Sequence, residues 1–73
     1  MAEYTQEQAT KDVKSAMNSV LLCEQIAPIS DKTEEQIFVY DQNKVHLEIK
    51  MSKPLFVNTL NDEQKERIDN ILK

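Results

Sequence analysis

The chain contains no glycine and no tryptophan, and it has one cysteine, one histidine and two prolines in 73 residues. A Walker-type phosphate loop and a dinucleotide fingerprint both require glycine, because the backbone must approach phosphate closely or adopt positive φ. Neither exists here. An EF-hand needs glycine at its sharp loop turn. Asp41-Gln42-Asn43 opens like a calcium loop, but Val45 and the missing glycine end the match. Structural zinc takes about four Cys or His ligands, and one copy offers Cys23 and His46. No cofactor or metal is therefore expected.

A single cysteine cannot form an intramolecular disulfide, whereas small secreted domains usually carry several. Residues Met1 to Glu7 show neither the basic segment nor the apolar core of a signal peptide. The longest apolar run of helical type, Val20-Leu21-Leu22-Cys23, falls far short of the roughly 20 residues of a membrane span. No Asn-x-Ser/Thr acceptor occurs. These features predict a cytoplasmic protein without membrane contact.

The length allows one domain, residues 1–73. At this size folding hides only about 60% of the unfolded chain's surface, so the core is thin. Nine basic residues stand against thirteen acidic ones, for a net charge of -4. Direct nucleic-acid binding would lack its main attractive term.

Along the chain, Thr5 and Gln8 match a capping box, and Glu7 suits the positive end of a helix dipole. Ala9, Val13, Ala16, Val20, Cys23 and Ala27 recur at helical spacing, widened by Met17, Leu21 and Ile26. This predicts a helix over residues 6–26, ended as Pro28 pushes Ala27 from helical angles. Ser30, Asp31, Lys32 and Thr33 read as a connection.

Gln36-Ile37-Phe38-Val39-Tyr40 is rich in β-branched and aromatic residues. Asp41-Gln42-Asn43 reads as a turn. Val45, Leu47, Ile49 and Met51 then alternate with Lys44, His46, Glu48 and Lys50, which is the pattern of a half-buried strand. The two runs predict an antiparallel β-hairpin. With a two-residue loop, Phe38 and Tyr40 face the core; a three-residue loop inverts the faces. Lys53-Pro54-Leu55-Phe56-Val57 reads as a short third strand at a sheet edge or as an apolar loop that plugs the core, with the strand slightly favoured. Asn61 with Gln64 caps a final helix over 62–72, where Ile68, Ile71 and Leu72 form the apolar face. The expected fold is α+β, with both helices on one face of the sheet.

That order of helix, three strands and helix resembles the double-stranded-RNA-binding domain. The family grips the RNA backbone through a basic cluster at the start of its last helix and a Gly- and Pro-rich hairpin region. Here that helix opens Asn61-Asp62-Glu63-Gln64, which is acidic. The resemblance therefore concerns topology, and it implies no RNA binding.

Cys23 reads as a small buried hydrophobe, separated by the predicted faces from His46, so no nucleophile–base dyad arises and an enzyme is not expected. Both faces of the first strand are apolar. The surplus face becomes a protein-docking patch of Ile37, Val39, His46, Glu48 and Lys50. Asp62, Glu63, Glu66 and Asp69 form an acidic patch on the last helix. The favoured function is a small acidic protein-binding module, a regulator or inhibitor of bacterial or phage type. One alternative is an acidic decoy seated in the nucleic-acid groove of an enzyme. The other is a structural homodimer.

Overall fold

A computed structural model describes residues 3–73. It contains four helices: α1 (Gln6–Ile26), α2 (Glu34–Met51), α3 (Pro54–Thr59) and α4 (Asp62–Leu72). The described residues hold no strand. The α+β expectation, its hairpin and its third strand are thereby corrected, and the topological resemblance to the RNA-binding domain falls with them.

Three helices begin with the same device. Thr5, Thr33 and Asn61 each accept from the amide three residues on, and Gln8, Gln36 and Gln64 each reach back to the cap amide. Each box satisfies two donors that a helix start otherwise leaves unpaired. The second box, Thr33-Glu34-Glu35-Gln36, nucleates a helix where a hairpin is expected. A two-residue hairpin loop needs positive φ, usually from glycine. The chain has none, and no described residue adopts positive φ.

The period-2 pattern of residues 45–51 has a different origin. Val45 and Ile49 lie four apart on one side of α2, while Leu47 and Met51 lie four apart on the opposite side. Two interleaved helical stripes of opposite direction imitate strand alternation. The inward stripe runs Tyr40, Asn43, Leu47 and Met51. Asn43 interrupts its apolar character and donates its side-chain N–H to the Val39 carbonyl at 2.7 Å. The predicted third strand is also helical: Pro54 opens α3, where its fixed φ and missing N–H cost nothing.

The ends of α1 and α4 agree with the sequence reading. The helix-stopping role given to Ala27 does not hold, because Ala27 keeps helical angles (φ -51, ψ -44). Past it, the Lys32 ammonium donates to the Ala27 and Ile29 carbonyls at 3.2 and 2.7 Å.

The core gathers Val13, Ala16, Val20 and Cys23 of α1, Leu47 of α2, Phe56 of α3, Leu60, and Ile68 and Ile71 of α4. Helices α1 and α2 form an antiparallel hairpin. Asp12 near the start of α1 pairs with Lys50 near the end of α2 at 3.5 Å, and the Cys23 thiol points to the Tyr40 carbonyl at 3.8 Å. Helices α3 and α4 pack on this pair. The smallest dimension is 17 Å, which is about two helix layers. So few layers cannot enclose an 18-residue helix on all sides.

Candidate functional site

At about 100° per residue, Phe38, Val45 and Ile49 project from one narrow sector of α2, directly away from the buried Leu47. They are 63%, 51% and 55% exposed. Phe38, Val45, Asp41, Gln42 and His46 line an open, mostly apolar groove of about 220 Å³ between successive turns. A helix apolar on two opposite sides is normally enclosed within a larger assembly.

Charge borders this stripe unevenly. Glu34, Asp41 and Glu48 lie seven residues apart, two turns each, in a row along one edge. All three are exposed, and none forms a salt bridge among the described residues. Lys44 lies further inward and half-buried. The other edge carries Glu35, Gln42 and His46, with Lys50 further inward on the same flank and engaged by Asp12 at 3.5 Å.

The docking patch expected from the strand reading is not one surface. In a helix, Ile37 and Glu48 fall on one flank, and Val39, His46 and Lys50 on the other. Ile37, His46 and Glu48 are exposed, Val39 is half-buried, and Lys50 is engaged by Asp12. Phe38, expected in the core under a two-residue loop, is instead the most exposed large apolar side chain among the described residues. Phe38, Val45, Ile49, Asp41 and Gln42 are missing from the expected site. Their 38–42–45–49 helical spacing was the available signal.

Asp62, Glu63, Glu66 and Asp69 are all exposed on α4. Asp62, Glu66 and Asp69 share the side opposite Ile68 and Ile71, so they form a solvated face. Glu63 and Arg67, Lys65 and Asp69, and Asp69 and Lys73 are opposite charges four apart on this helix, and none of these pairs forms a salt bridge among the described residues. Arg67 reaches α1 instead, donating through Nε to Glu24 at 3.0 Å and through a second nitrogen to the other carboxylate oxygen. Its hydrogen bond holds the Glu24 carboxyl below its usual range.

A second polar cluster joins the N-terminal segment, α1 and the α2–α3 junction. The Tyr4 hydroxyl donates to Asp12 Oδ2 at 2.6 Å, and the Lys53 ammonium sits 4.5 Å from the centre of the Tyr4 ring. Tyr4's bond, helped by Lys50 and Lys53, holds the Asp12 carboxyl low against the opposing effect of burial. Burial and the Asp12 carboxylate push the Tyr4 hydroxyl up to about 12. These groups satisfy one another, so the cluster acts as a clamp.

Cys23 is fully buried. Burial pushes its thiol up, Glu24 adds to the shift, and Lys44 opposes it. That is the environment of an inert thiol. Among the described residues, no group of three or more His, Cys, Asp or Glu side chains is placed to hold a metal ion. No described helix is long and apolar enough to cross a membrane. The chain matches no protein-family model, and no curated protein or solved structure is significantly similar to it.

Proposed function

We propose that the chain is a small protein-binding module that docks its partner on the outer face of α2. The observation that carries this reading is the exposure of Phe38, Val45 and Ile49 in one sector of a helix whose opposite side already fills the core. Water around these three side chains is released on docking, which is the main favourable term in most protein association. The acids along the edge supply orientation and rejection of wrong partners. A regulatory or inhibitory role in the cytoplasm belongs to the same proposal; one buried thiol suits a reducing compartment.

The test is affinity capture from the source cell with the native chain, the double variant F38S/V45D, and E66Q on the α4 face as control. The native chain and E66Q should retain the same protein, and F38S/V45D should lose it while keeping its helical circular dichroism. Equal capture by a folded F38S/V45D overturns the proposal.

A further inference from the structure

On the basis that the outer face of α2 is the docking surface, we infer that its occupant is a cationic amphipathic helix of another protein, laid along the Phe38–Val45–Ile49 stripe with Lys or Arg against Glu34, Asp41 and Glu48. The stripe and the acid row run together over the length of α2. Phe38 and Val45 lie seven residues apart, as do Glu34 and Asp41, and Asp41 and Glu48. Positions seven apart are separated by about 10 Å along a helix axis. A second helix presents side chains at the same interval, so one apolar seam and one row of cations on it meet both rows at once. An extended strand, with successive side chains on opposite faces, does not repeat at that interval.

Charge decides between a foreign helix and a second copy. If α2 paired antiparallel with itself, the row Glu34–Asp41–Glu48 would face the same row of its twin, acid against acid. If it paired parallel, the row would meet the flank carrying Val39, His46 and Lys50, whose ammonium is already engaged by Asp12. Neither arrangement neutralises the three acids, and each copy brings a net charge of -4. A helix with Lys or Arg beside an apolar seam neutralises all three and covers the groove at Phe38, Asp41, Gln42, Val45 and His46.

The test titrates the isotope-labelled full chain with three amphipathic helical peptides of 18 residues, the length of α2. All share one leucine seam and carry only Lys, only Gln or only Glu beside it. The Lys peptide should shift the amides of residues 34–49 and weaken about tenfold between low and high salt. The Glu peptide should bind at least about tenfold more weakly than the Lys peptide. D41N/E48Q should weaken the Lys peptide about fivefold and leave the Gln peptide unchanged; Glu34 is left in place because it supports the start of α2. Equal binding of the Lys and Gln peptides at α2 overturns the cationic partner and leaves the docking face standing. Silence of α2 with all three peptides, seating of the Lys peptide on Asp62, Glu66 and Asp69, or a dimer sedimenting through α2 each overturns the inference. Failure of the docking face itself is read separately, from capture that survives F38S/V45D.

Discussion

The Thr33 hydroxyl accepts a hydrogen bond from the Gln36 amide at 3.1 Å, while the Gln36 side-chain carbonyl accepts one from the Thr33 amide at 2.9 Å. This reciprocal pair starts the helix that carries the candidate docking face. Replacing Thr33 by Ala should lower stability by about 1 kcal/mol, which for a domain this small moves Tm down by about 4–8 °C. Thermal unfolding followed at 222 nm measures it. An unchanged Tm, together with a β-type spectrum, would show that this segment is not capped as a helix.

Core and outer face of α2 should respond in opposite ways. Phe56 is fully buried among residues of all four helices. Phe56→Ala should cost about 3–5 kcal/mol, enough to unfold much of a small domain. Phe38→Ser should fall within about 0.5 kcal/mol of the native chain, because Phe38 gives up little contact. Urea melts of both variants check this. A large loss for Phe38→Ser would mean that Phe38 is a core residue in solution.

Acid should loosen the clamp at Asp12. Its folded pKa lies below the ordinary 3.8, so the stability it contributes is present above that value and is lost as pH falls through the folded pKa. Asp12→Asn should therefore be less stable than the native chain at neutral pH. The gap between them should narrow as pH falls below about 4. Urea midpoints of both chains across that range measure the gap, and a constant difference would refute the linkage.

Alkali should act on the same clamp from the other partner. Tyr4 is raised from 10.0 to about 12, so its contribution is complete below 10 and is lost as pH rises through about 12. In a Tyr40→Phe background, the absorbance of Tyr4 at 295 nm should titrate near 12 in the folded chain. It should move toward 10 when Asp12 is replaced by Asn. A normal titration in the parent would show that the Tyr4–Asp12 bond does not persist in solution.

Local signals in the sequence determined the two outer helices. In α1 and α4, cap, dipole and apolar spacing all point the same way: Thr5 with Gln8 and Asn61 with Gln64 set the starts, and a single apolar stripe in each sets the buried side. The exclusion of glycine-dependent phosphate loops and of a closed zinc site also follows from composition alone. The segment from Thr33 to Met51 was different. Its capping box and the absence of glycine favoured a helix, but Asn43 broke the inward stripe and the outward Val45 and Ile49 filled its gaps. The resulting pattern fits strand and helix alike, and short-range propensity cannot separate them. Packing decides between them: Leu47 meets Phe56 and Ile68 in the core only when residues 34–51 coil together. That choice divided the expected patch between two flanks and turned Phe38, Val45 and Ile49 toward water. Only tertiary structure could do so, because whether an apolar side chain is covered depends on how many helices are left to cover it.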